Sequence, residues 1–111
     1  MRKYLVLGSI AAAGLVAAVA AVAATPAFKG SVGPGFVISM AKKPTTAGKI
    51  SLTVSDKASI HDFHLVGPGV NVATSVSGTG TKTFKITLKK GTYKFFCDPH
   101  KSTMKGSFTI K

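Results

Sequence analysis

Cys97-Asp98-Pro99-His100 is followed, after three intervening residues, by Met104. A second cluster lies upstream in Ile60-His61-Asp62-Phe63-His64. One thiolate, two imidazoles and a more distant thioether are the donor set of a trigonal His₂Cys copper site with a weak axial Met. Thiolate is a soft donor that suits Cu(I), and imidazole serves both oxidation states. A geometry between the two preferences lets the metal change charge with little nuclear movement, which an electron carrier needs. Cys97 is the only cysteine, so no intrachain disulfide framework exists. A buried, inert thiol is the bland reading of Cys97, and a metal-held thiolate is the sharper one. The neighbouring His and Met favour the second. Pro99 stiffens the turn that brings His100 back towards Cys97. His61 comes from a different strand and closes the site across the sheets.

The elements that must position these residues are short strands. Apolar residues alternate with polar ones at Ile50, Leu52 and Val54, at Phe84, Ile86 and Leu88, and at Tyr93, Phe95 and Cys97. Phe36, Ile38 and Met40 alternate too, which predicts a strand with Met40 in the core. Phe63 and Leu65 continue the period from His61, and Phe108 and Ile110 close the chain. Period two is the signature of half-buried strands. Turn residues separate the runs at Ala47-Gly48, Gly67-Pro68-Gly69, Ser77-Gly78-Thr79-Gly80 and Lys90-Gly91. No segment after residue 24 has a helical period. The pattern predicts an all-β sandwich or barrel.

With 111 residues the chain has room for one domain. Arg2 and Lys3 precede an uncharged stretch from Leu5 to Ala24, in which nine of the last fourteen residues are Ala. Residues 1–24 read as an export signal, cleaved after Val22-Ala23-Ala24 or Thr25-Pro26-Ala27, or as an N-terminal membrane anchor. Both place the domain outside the cytoplasm, in the periplasm, at the cell surface or secreted. Residues 25–34 read as a linker and 35–111 as the domain. A free thiol in an oxidising compartment is vulnerable, which again favours an occupied Cys97.

Gly91-Thr-Tyr-Lys-Phe-Phe-Cys-Asp-Pro-His100 with Met104-Lys-Gly106 resembles the C-terminal signature of the cupredoxins, and is similar to plastocyanin, amicyanin and pseudoazurin. Ile60-His61-Asp62 resembles their upstream His-Asn segment. The resemblance covers roughly residues 35–111. It implies a Greek-key β-sandwich holding one type 1 copper near one end. It implies His61, Cys97 and His100 as equatorial ligands and Met104 as the axial one. The loop from His100 to Met104 is one residue shorter than in plastocyanin and one longer than in amicyanin. Asp62 stands where the relatives carry Asn, whose amide ties the two ligand loops together. Asp98 follows Cys97, so two carboxylates come close and one is expected to have a raised pKa. Phe96 occupies the position of an aromatic that relatives use as a remote electron path; a surface-packed ring is the alternative.

His64 is the rival to His61. Three residues along a strand put it on the opposite face, so a surface or supporting role is expected. Fifteen Lys and Arg against three Asp give a net charge of +12. That charge either keeps a solvated face soluble or steers towards an acidic redox partner, an anionic membrane or a polyanionic cell envelope. Nucleic acid is not expected, because export and the lack of aromatic interleaving argue against it. The leading function is a monomeric single-electron shuttle, with His100 presented through an apolar patch helped by Pro99, Pro68 and Met104. A copper-delivery module without redox traffic and an apo structural surface domain are the alternatives. An enzyme is not expected: all three histidines are placed, and Gly78-Thr79-Gly80 lacks the rest of a phosphate-binding loop.

Overall fold

The computed structural model describes residues 24–111. Eight strands form two four-stranded sheets. The strands are β1 (Ala27–Val32), β2 (Ile38–Met40), β3 (Gly48–Asp56), β4 (His64–Gly67), β5 (Val70–Ala73), β6 (Gly80–Leu88), β7 (Gly91–Phe96) and β8 (Lys105–Ile110). The first sheet has the order β2-β1-β3-β6 and the second β5-β4-β7-β8. The chain crosses between sheets after β3, β5 and β6, which makes this a Greek-key sandwich. β1 runs parallel to β3, and the other pairings are antiparallel.

The alternating residues supply the core. β3 turns Ile50, Leu52 and Val54 inward, and β7 turns Tyr93 and Phe95 to meet them. Phe63 stacks on Phe95 with ring centres 5.4 Å apart, and Tyr93 stacks on Phe108 at 5.1 Å. Offset ring pairs of this kind add to the stabilisation from area alone.

Residues 25–34, expected as a linker, carry β1 instead. The strand was hidden because Gly30 interrupts the apolar alternation. Glycine is needed there because a Cβ would press on the ring of Phe63, which lies just before β4. The partner that completes β1 is thus distant in sequence. Of the expected Phe36–Ile38–Met40 run only Ile38–Met40 is a strand; Met40 is buried, but Phe36 is 64% exposed in the preceding bend. The expectations for the leader fall on residues 1–23, outside the described residues.

Candidate metal centre

Three chain segments meet at one end of the sandwich. Cys97 follows β7 directly, in extended conformation, with its side chain fully buried. Asp98–His100 then form one 3-10 turn with Pro99 inside it. The loop closes on itself: the Cys97 N–H donates to the Met104 carbonyl at 3.0 Å, and the Met104 N–H to the His100 carbonyl at 2.8 Å. A short loop with its own hydrogen bonds holds its side chains where the strand ends aim them. Met104 is buried against the same end of the core.

His61 arrives from the segment between β3 and β4 and is fully buried. Its Nδ1 lies 3.7 Å from Cys97 Sγ and 3.1 Å from His100 Nδ1. His100 Nδ1 lies 3.6 Å from the same sulfur. The point equidistant from these three atoms is about 2 Å from each, an ordinary bond length from imidazole nitrogen to a first-row metal ion. Three lone-pair donors converging on one point fit a soft cation, and the mixed sulfur and nitrogen set suits copper. Burial pushes the Cys97 thiol pKa up. A metal therefore has to displace its proton. His61 Nε2 is buried with no hydrogen-bond partner among the described residues. Its surroundings are Gly33 and the edge of Phe36.

A second cluster lies beside the first. Asp62 Oδ1 accepts the Asp98 N–H at 2.6 Å. Burial, then the hydrogen bond with Asp98, pushes the Asp62 pKa up to about 6. The hydrogen bond from Asp62 and the one from His64 pull the Asp98 pKa down. His64 lies outside the donor triangle. Its Nδ1 is 2.9 Å from Asp98 Oδ2, its Nε2 is 2.6 Å from Asn71 Oδ1, and its ring sits 4.8 Å from that of Phe96. Burial opposes its protonation, but the bonds to Asn71 and Asp98 outweigh that and raise its pKa. Phe96 is half-buried on the outer face, under the Lys101 ammonium at 4.7 Å, in a groove shared with Lys94 and Lys105.

The sequence reading did not place Phe36 at this end. Its ring meets His61 and His100 edge-on at 5.1 and 4.9 Å. Phe36, Val37 and Ile60 are 64%, 60% and 53% exposed and make the apolar surface here. The available signal was a bulky apolar pair beside the Gly33-Pro34-Gly35 turn. The patch expected from Pro68 and Met104 is corrected. Met104 is buried. Pro68 packs on Gly91, where β7 starts, at the opposite end of the strand from Cys97.

The profile of copper-binding proteins of the plastocyanin/azurin family matches residues 42–111. The chain belongs to that family. This cupredoxin has copper as its cofactor. No curated protein sequence matches the chain. Among solved structures it is similar to reduced auracyanin from Roseiflexus castenholzii, with 22% identity, a TM-score of 0.56, and coverage of 79% of this chain and 98% of that one. It is also similar to reduced rusticyanin, with 22% identity, a TM-score of 0.56, and coverage of 77% and 76%. Auracyanin A, a blue copper protein from Chloroflexus aurantiacus, matches at 14% identity with a TM-score of 0.56, covering 79% and 100%. At these identities the structures attest the shared fold.

Proposed function

We propose that this cupredoxin is an exported, monomeric type 1 copper protein that carries single electrons, and that it catalyses no bond-making reaction. The convergence of His61 Nδ1, Cys97 Sγ and His100 Nδ1 carries the reading. Those residues, with Met104 from the loop of Cys97 and His100, would hold the metal. Copper bound there supplies a one-electron couple. The residues do the rest. The self-bonded Cys97–Met104 loop holds the donors in place through both charge states. Burial of Cys97 and His61 keeps water from the thiolate. Phe36 packs against both imidazole rings and, with Val37 and Ile60, offers an apolar surface to a redox partner beside half-buried His100. Phe96, next to Cys97 and among Lys94, Lys101 and Lys105, suits a second electron path to an acidic protein.

The test is one equivalent of Cu(II) added to the purified full chain, followed by visible spectroscopy. An intense blue or green charge-transfer band is expected. Reductant should bleach it, oxidant restore it, and Cys97→Ala abolish it. A chain that holds copper but does not cycle defeats the electron-carrier reading, and ready release of Cu(I) to a chelator favours delivery instead.

A further inference from the structure

We infer that the end of the sandwich opposite the metal centre docks on an anionic lipid surface, and so turns the metal end towards the aqueous phase. The inference rests on the proposed export of the chain.

The charges are divided between the two ends. All three side-chain carboxylates of the chain lie at the metal end. Asp56 closes β3 beside Val32, while Asp62 and Asp98 directly follow His61 and Cys97. Some of the lysines at that end have carboxylates for company: Lys57 follows Asp56, and Lys101 is three residues from Asp98. The far end has no such compensation. Lys49, second residue of β3, is in register with Thr87, and Lys85 pairs with Ser51 two residues further in. Lys89 and Lys90 lie at the turn from β6 to β7. All four are exposed. Lys111 follows β8 at the same end, although a terminal carboxylate beside it would offset its charge. The separation gives the domain a dipole with its positive pole away from the metal.

The chemistry of that pole fits a diffuse anionic surface. Every permanently charged cation among the described side chains is lysine. Lysine is a mobile, strongly hydrated point charge, without the rigid fork by which arginine clamps a single phosphate. Clusters of it are drawn to anionic headgroups. The strongly exposed large apolar residues among those described are Phe36, Val37, Ile60 and Val76. None of them lies at this pole, so its attraction is electrostatic and salt-sensitive.

The course of the chain points the same way. The Ser51 N–H donates to the Pro26 carbonyl at 2.9 Å, and Thr25 lies in one shallow groove with Lys49, Lys85 and Thr87. The uncharged sequence Leu5–Ala24 therefore joins the domain at the lysine-rich end. Chain connection and charge favour the same side of the domain for the lipid.

The test is amine labelling of the full, copper-loaded chain with a water-soluble acylating reagent, read lysine by lysine by mass spectrometry. Two suspensions are compared: vesicles of phosphatidylcholine alone, and vesicles of phosphatidylcholine with phosphatidylglycerol. Lys49, Lys85, Lys89 and Lys90 are expected to be protected several-fold on the anionic vesicles, while Lys57, Lys82, Lys101 and Lys105 stay reactive. The difference should vanish at about 1 M salt, where the screening length is ~3 Å. Uniform protection, protection at the metal end, or none overturns the inference. The visible band of each sample is recorded in parallel. A redox-cycling band without this protection defeats the docking inference alone, and protection without a cycling band defeats the electron-carrier reading alone.

Discussion

The Asp62 carboxylate accepts the backbone N–H of Asp98 at 2.6 Å, linking the residue after His61 to the residue after Cys97. A carboxylate makes this link as well as an amide oxygen does, because only an acceptor is needed. The difference is titration. With its pKa raised from the usual 3.8 to about 6, chiefly by burial, Asp62 stays protonated in the folded copper-free protein at pH values where it is ionised when unfolded.

The sign of the pH dependence follows. A raised carboxyl pKa contributes stability below the unfolded value, and that contribution is lost as pH rises from about 4 through about 6. Asp98, with its pKa lowered, works the other way and loses its contribution in stronger acid. The copper-free protein should therefore be less stable at pH 7.5 than at pH 5, with Asp62 accounting for on the order of 1–2 kcal/mol. Asp62→Asn keeps the acceptor and should flatten that slope. Urea unfolding of both proteins at the two pH values checks it, and parallel slopes would refute it.

Cys97 gives a second prediction. Its side chain is fully buried and its thiol pKa is raised by that burial. The copper-free thiol should react with a disulfide reagent at neutral pH at least about tenfold more slowly in the folded protein than in denaturant. Stopped-flow absorbance measures both rates. Equal rates would mean that the folded site opens to solvent.

Phe36 was legible as apolar but not as part of the site. Period-two patterning identifies faces; it does not say which bend folds over a distant imidazole. The same limit hid β1, whose Gly30 makes sense only against Phe63, in the segment leading into β4. Cys97, His100 and Met104 were readable because one short loop carries them. His61 was expected on a strand, with parity setting it apart from His64, but it lies in the segment before β4, which begins only at His64, so a loop delivers it to the site. Pro68 misled, because local turn chemistry at Gly67-Pro68-Gly69 carries no information about which end of the sandwich the turn occupies.

Replacing Phe36 should separate docking from folding. The side chain is 64% exposed. Phe36→Ala should therefore change stability by no more than about 0.5 kcal/mol, as surface substitutions usually do. Electron exchange with a protein partner should slow several-fold, because the apolar cover over His61 and His100 is gone. Stopped-flow oxidation by a soluble redox protein reads the rate. An unchanged rate would remove Phe36 from the docking surface.

Gly106 should couple packing to the metal centre. It pairs with Phe95, whose ring lies over it so closely that an added Cβ would overlap the ring. Phe95 in turn stacks on Phe63. These aromatics stand two residues before Cys97 and two after His61. Gly106→Ala should cost about 1–3 kcal/mol through overpacking. It should also shift the charge-transfer band, because the displaced rings sit two residues from Cys97 and from His61. Loss of stability with an unaltered band would show that the stack and the site are independent.

Tyr93 offers the opposite case. It is fully buried; its hydroxyl accepts the Lys89 N–H at 2.9 Å and donates to the Pro68 carbonyl at 2.8 Å. These bonds tie the β6–β7 turn to the β4–β5 turn at the end away from the donors. Tyr93→Phe preserves the stack on Phe108 but leaves the Lys89 N–H and the Pro68 carbonyl without their partner. The expected cost is about 1–3 kcal/mol, the penalty for part-buried backbone groups left unpaired. The band and the reduction potential should not move, since the Cys97–Met104 loop makes its own hydrogen bonds. Thermal unfolding and voltammetry on the same sample decide it. A potential that shifted with the melting temperature would mean that the metal end senses the far turn through β7.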